Sequence, residues 1–297
     1  MNILLAMIPA FFWGTTYAVT QYTLTDWPPL LLGALRALPA GLLLLLLKPS
    51  VPQREDLPRL FKLGLINIAT FFCLIFVMAL TLPSAISGVG MVSVPVFAML
   101  YHWLVHKHQP NYIQAISGAA LIGLAWLLFS PSQIVLNPLG LAAMLCAIMC
   151  IVIGSTITKS LGTKIHWWTV LTWQMILGGS MLSVAAGVDA SISPERYTNV
   201  ISHFSVVNGL GLLWVIGLNT ALGYGMYVWL LQRMTVVDFT FGGIANPVAG
   251  IVSGMVLLGE SFTSLQYSLM AGMIVMSLLP QIILALRQHK PFPSQNK

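Results

Sequence analysis

Charge is nearly absent from this chain. Its 297 residues include 13 Lys and Arg and 7 Asp and Glu, where a soluble protein of this length carries ~75 charged side chains. No soluble fold covers its surface with so few, which excludes a soluble enzyme and a nucleic-acid binder. A GxxxxGK[ST] phosphate loop is missing, and no polar stretch is large enough to hold one, so no nucleotide-driven engine is expected. The N-terminus lacks the basic stretch that precedes the apolar run of a cleaved signal peptide, and none is expected. Cysteine is scarce. Cys73, Cys146 and Cys150 all lie in apolar runs and read as packing residues. Cys146 and Cys150, four apart on one helix, are too far apart for an unstrained disulfide.

What remains is apolar: 58% of the residues are hydrophobic. A bilayer span takes ~20 apolar residues, so ten spans use roughly 200 and leave only short connections and tails. The apolar runs alternate with turn residues and predict ten helices. They are Ile3–Tyr22, Pro28–Leu47, Leu57–Thr81, Pro83–His106, Pro110–Phe129, Pro138–Leu161, Trp167–Gly187, Val206–Leu231, Thr235–Leu258 and Leu265–Leu286. Val188–Ser205 is the longest connection, with room for a short interfacial helix. The expected fold class is an all-α polytopic membrane protein.

The basic residues orient it. With the N-terminus in the cytoplasm, Lys48, Arg54, Arg59, Lys62, Lys107, Lys159, Lys164, Arg233, Arg287, Lys290 and Lys297 all fall on the cytoplasmic side. Arg196 alone falls opposite, and Arg36 lies within a span. That asymmetry obeys the positive-inside rule and predicts both termini in the cytoplasm of a multi-pass inner-membrane protein.

Ten is twice five, and the chain aligns weakly with itself. An offset of 152 residues sets Gly90 on Gly242, Pro95 on Pro247, Gln114 on Gln266 and Ala119 on Ala271. An offset of 138 sets Leu35-Arg36-Ala37 beside Trp173-Gln174-Met175. The expected organisation is a five-helix repeat over 1–131 and a second over 132–297. An odd number of helices per repeat inverts the second copy, the architecture behind alternating access.

These residues resemble the drug/metabolite transporter superfamily in its ten-helix EamA branch. The resemblance rests on Ala10-Phe11-Phe12-Trp13-Gly14, on Leu35-Arg36-Ala37, and on Pro247 ahead of Leu257-Leu258-Gly259-Glu260 and Gln266. One departure stands out: Lys107-His108 occupies the place in the first copy that Gly259-Glu260 occupies in the second. The resemblance implies a secondary carrier, often an exporter of amino acids or related metabolites, with a central cavity between its halves. Multidrug efflux is the alternative cargo reading. An intramembrane lipid-modifying enzyme is the rival class, and the chain lacks the cluster of intramembrane acids, histidines or nucleophile that it needs.

Pro95 and Pro247 each follow glycines within a span, and paired breaks in two halves point to a transporter's central site. Asn246 adds an amide at the second break. Arg36 lies eight residues into its span, about 12 Å along the helix, where a charge faces protein or water. It could hold a substrate carboxylate, pair with Asp238, or anchor carbonyls at a broken helix. Trp13 and Tyr17, Phe72 and Phe76, and Tyr224 and Tyr227 share helix faces in pairs and would wall a site for small amphipathic ligands. Trp27, Trp167 and Trp168 fit the interfacial belts. His102, His106 and His108 lack an acid or cysteine to complete a metal set, which leaves His102, with Asp238, as a proton-coupling candidate. Gly250 and Gly254 read as internal packing. No cofactor is expected. The expected partners are a small-molecule substrate, the lipid bilayer and a proton or sodium gradient, with the chain a monomer or weak dimer.

Overall fold

The computed structural model describes residues 2–107, 109–130, 135–161, 164–231 and 242–288. Helix α1 spans Asn2–Thr23 and α2 Pro29–Leu47; α3 (Leu57–Leu63) continues through a π-helical stretch, Gly64–Thr70, into α4 (Phe71–Thr81). A 3-10 turn, Met91–Ser93, joins α5 (Ser84–Gly90) to α6 (Val94–His106). Then come α7 (Tyr112–Leu128), α8 (Pro138–Leu161), α9 (Trp167–Ile192) and the short α10 (Pro194–Ser202). Helix α11 (Val206–Leu213) enters a second π-helical stretch, Trp214–Leu222, and emerges as α12 (Gly223–Leu231); α13 (Ala245–Leu258) and α14 (Ser264–Gln288) complete the order. No strand occurs among the described residues.

By length and composition, six of these stretches can cross a bilayer: Pro29–Leu47, Arg54–Thr81, Ser84–Val105, Pro138–Thr158, Trp167–Ile192 and Val206–Tyr227. Tyr112–Leu128, Ala245–Leu258 and Ser264–Pro280 are apolar but shorter. The chain is an all-helical, multi-pass membrane protein. The length of α9 and the exposure of Cys146 differ from the reading of the sequence. Helix α9 runs about a turn beyond Gly187, so the connection before α11 shrinks and α10 fills it, burying Tyr197 and Val200. Within the Ser84–Val105 stretch, Pro95 stands in the first turn of α6, directly after the 3-10 turn Met91–Ser93. Pro247 likewise falls in the first turn of α13. Cys146, expected to pack, is exposed.

Packing is organised by facing pairs. Helix α2 lies across α9, α1 along α13, α5 against α13, α7 against α14 and α4 against α8. Glycine sets the closest of these approaches. A Cβ on Gly41 would sit 2.9 Å from the Ile176 nitrogen, and one on Gly179 would sit 2.5 Å from the Leu38 nitrogen. Hence α2 and α9 cross backbone to backbone, running antiparallel. Gly88 and Gly250 meet Cα to Cα between α5 and α13, so Gly250 does pack internally.

Several local devices recur at the spacing read from the sequence. Among the described residues, positive φ occurs only at Lys107 (58°) and Gly259 (66°), each ending a helix in the left-handed conformation and 152 residues apart. A capping box at Asn111 and Gln114 opens α7. The same offset leads to Thr263 and Gln266, whose side chains each accept from the other's backbone N–H at the start of α14. The two π-helical stretches fall at corresponding places as well.

Glu260, just past the left-handed cap of α13, accepts from the backbone N–H groups of both Ser84 and Ala85, the second at 3.0 Å. Its carboxylate thereby caps α5 and ties it to α13, helped by the Ser84 hydroxyl donating to the Gly250 carbonyl at 3.0 Å. Burial pushes the Glu260 carboxyl above its ordinary range, against the pull of the two N–H bonds. This desolvation offsets part of the gain from the bonds. Glu260→Ala should therefore cost about 2 kcal/mol rather than the sum of two charge-assisted bonds, read as a lowered melting temperature in detergent. Glu260→Gln, which keeps one acceptor, should fall between.

Candidate functional site

The π-helical stretch Trp214–Leu222 brings α1, α2, α4 and α12 together around one charge. Arg36 is 4% exposed, an uncommon burial for a guanidinium in an apolar bundle. Its Nε donates to Thr220 Oγ1 at 2.9 Å, and Thr220 in turn donates to the Val215 carbonyl five residues back at 2.9 Å. The guanidinium carbon stands 4.2 Å from the centre of the Phe72 ring and 5.9 Å from that of Phe76. Such contacts are worth about 2 kcal/mol when desolvated, which helps keep the charge inside. Tyr17 and Tyr224 lie within electrostatic reach of it.

Aromatic rings close the surroundings. Trp13 meets Tyr224 at 5.3 Å and Tyr227 at 5.4 Å, both edge to face, and Phe72 meets Tyr224 at 6.0 Å. Trp13 is held by its indole N–H, which donates to the Asn219 carbonyl at 2.9 Å. The Asn219 side chain donates to Thr16 at 2.6 Å, and Trp214 donates to Thr15 at 2.9 Å. These bonds fix the face of α1 against the π-helical stretch. The carbonyl that Trp13 uses lies within the π-helical stretch, the kind of local departure often found at functional sites.

Seven of the residues singled out from the sequence thus converge: Trp13, Tyr17, Arg36, Phe72, Phe76, Tyr224 and Tyr227. Asn246 reaches the edge of the group through its backbone carbonyl, which packs on Gly14 beside Trp13. Its side-chain oxygen is buried without a partner. Pro247 is buried against Gly88 instead, and Pro95 is exposed, so neither proline lines the cluster. The glycines around them make room for helix packing, and that is what places these two positions. His102 occupies an exposed face of α6. Asp238 lies outside the described residues. Reading the sequence missed Thr220, Asn219 and Thr16. Polar residues four or five apart in an apolar run were the available signal, hidden because a π turn changes which positions share a face.

What the arrangement can do follows from the unused donors. Guanidinium offers five N–H donors in a planar fork. Among the described residues only Nε is engaged, and no carboxylate faces the group. A buried guanidinium whose fork is open among the described residues, walled by aromatic rings, has the chemistry to pair with an anion. A separate apolar cleft of about 390 Å³ opens between α1, α11, the π-helical stretch and α13, lined by Phe11, Val19, Trp214 and Val252 among others. None of the seven converging residues lines it, although Thr15 and Trp214, which brace α1 beside them, do.

Comparison with known proteins gives the context. Residues 1–130 match the model of the EamA-like transporter family. The chain is 30% identical over 260 residues to Protein PecM of Dickeya dadantii, covering 86% of this chain and 83% of that protein. It is 27% identical to the Uncharacterized inner membrane transporter YedA of Escherichia coli K12, covering 90% and 86% of the two chains. A Probable amino-acid metabolite efflux pump of Salmonella typhimurium is 24% identical, with 91% and 93% covered. One crystal structure superposes with a TM-score of 0.61 over 97% of this chain and 99% of the other, at 14% identity, a likeness of fold alone.

Proposed function

Since the chain belongs to the EamA-like transporter family, we propose that it is a secondary carrier exporting small amphipathic metabolites, amino acids or their relatives, by alternating access. The family is one of transporters, not enzymes. The observation that carries the cargo reading is the buried Arg36 fork, open among the described residues and walled by Phe72, Tyr224 and Trp13. A relative named as an amino-acid metabolite efflux pump supports the same cargo class. In this reading Trp13, Tyr17, Arg36, Phe72, Phe76, Tyr224 and Tyr227 contact the substrate. Asn246 borders the site.

The carrier has ten spans, arranged as two inverted five-helix repeats that meet near residue 131. The paired left-handed caps, capping boxes and π-helical stretches support this, because packing alone would not repeat such devices at one spacing. Both termini face the cytoplasm, a proton or sodium gradient drives export, and the working unit is a monomer or weak dimer.

Flux of radiolabelled aromatic and aliphatic amino acids from proteoliposomes, compared with protein-free vesicles, tests the proposal. Saturable efflux of amino acids is expected. Flux confined to cationic or neutral drugs would replace the cargo reading with multidrug efflux. Orientation has its own test. Single cysteines at Gln53 and Ser294, in a background with Cys73, Cys146 and Cys150 replaced by Ser, should react with an impermeant maleimide only from the cytoplasmic side. Labelling of intact cells would invert the topology.

A further inference from the structure

Besides the Arg36 cluster, a second polar seam is formed among the described residues. It lies where α9 meets the first π-helical stretch. There Asn67 donates through Nδ2 to Gln174 Oε1 at 2.9 Å, and Gln174 is 6% exposed. Asn67 presses on Gly154 of α8, where a Cβ would sit 2.4 Å from the Asn67 side-chain oxygen. Ile68, fully buried, packs on Gly178 of α9.

The residues correspond one to one with those of the first seam. Asn67 stands 152 residues before Asn219, Gln174 stands 138 after Arg36, and Gly154 stands 138 after Thr16. In both seams the asparagine sits in a π-helical stretch and its amide donates to a side chain of a facing helix. Helices α2 and α9 cross at Leu38–Gly41 and Ile176–Gly179. Arg36 and Gln174 therefore fall on opposite sides of the crossing, about 10 Å apart along the axis. Two seams flanking one crossing are where a rocking bundle would close alternately.

We infer that Asn67 and Gln174 are positioning residues that hold the inner, cytoplasm-facing closure of the pathway, counterpart to the outer closure made by Arg36, Asn219 and Thr220. The inference rests on the alternating-access reading above. The two closures are unequal in make-up. The outer joins a charged donor, a second amide bond and the Phe72 ring, whereas the inner has one neutral amide pair, with the Trp168 and Trp173 indoles beside it donating to the Lys48 and Ser50 carbonyls.

The test reads conformation without requiring a known cargo. Reporter substitutions Ile68→Cys in the inner seam and Val215→Cys in the outer are made separately in the cysteine-free background. Maleimide labelling rates are then measured in sealed vesicles of each orientation. Losing one neutral hydrogen bond shifts a two-state balance by about five-fold. Asn67→Ala or Gln174→Ala should raise I68C labelling from the cytoplasmic side by about that factor and lower V215C labelling from the other side. The double variant should do no more than either single one, since both remove the same bond. Unchanged I68C labelling overturns the inference, even where Arg36→Gln opens V215C and so leaves the outer site standing. A joint rise at both reporters also overturns it, as general loosening. Opposed shifts in vesicles that export no amino acid uphold the closure and remove only the cargo.

Discussion

Arg36→Gln should abolish discrimination between an amino acid and its amide. In the proposed reading the Arg36 fork, open among the described residues, pairs with a substrate carboxylate, a bond worth about 1.5–3 kcal/mol, equivalent to roughly 10- to 150-fold in affinity. The amide analogue cannot form it, so wild-type transport should favour the acid by that margin. Gln offers one donor pair without charge, and transport of the acid should fall to the level of the amide. Arg36→Lys keeps the charge as a point without the planar fork and should land between. Affinity is read by competition in proteoliposomes, with protein abundance and melting temperature measured on the same samples. Arg36 also bonds Thr220 and stacks on Phe72, so some loss of stability is expected. That loss would act on both ligands alike. If acid and amide decline together, in step with the melting temperature, Arg36 is an internal anchor and the cargo's charge must be sought elsewhere.

Gly14→Ala should be severely damaging, because its contact is the shortest to another helix's backbone among the described glycines. Its Cβ would lie 2.1 Å from the Asn246 carbonyl oxygen and 2.9 Å from the Ala249 Cβ. The first obstacle is backbone, which no rotamer change can clear, so α1 and α13 must separate along their length. Overpacking of this kind costs about 3 kcal/mol. The displacement would also carry Trp13 away from Tyr224 and Tyr227, so transport should fail beyond the loss of folded protein. Gly123→Ala is the control, because nothing lies within 4 Å of a Cβ there. Its melting temperature should match or slightly exceed that of the wild type, since alanine is the better helix former. Equal melting temperatures for the two variants would show that α1 and α13 do not approach as described.

The features legible in the sequence are those governed by short-range rules and by the solvent. Scarcity of charge demanded a membrane, because the bilayer is the only medium in which such a surface is stable. Prolines and polar breaks marked most helix ends, and Asn111–Gln114 could be matched to Gln266 across the chain. Even Gly14 and Gly259 stood out, one in a span and one after it, although their reasons did not. Backbone approach and a left-handed turn are visible only when the neighbour is in place. Arg36 was recognisable as buried from its depth in a span, for a charge there has few alternatives. What holds it was not. Thr220 is 184 residues away, and no local rule links the two. The π-helical stretches were invisible too, because they depend on polar partners contributed by other helices rather than on the run of apolar residues. The prolines marked where helices are interrupted, because proline suits a first turn and not an interior, but the side chains that these turns face were decided by the tertiary arrangement. Composition and local chemistry determined that this chain is a bundle in lipid. Long-range packing, through close glycine contacts and hydrogen bonds between distant residues, decided which side chains meet at its centre.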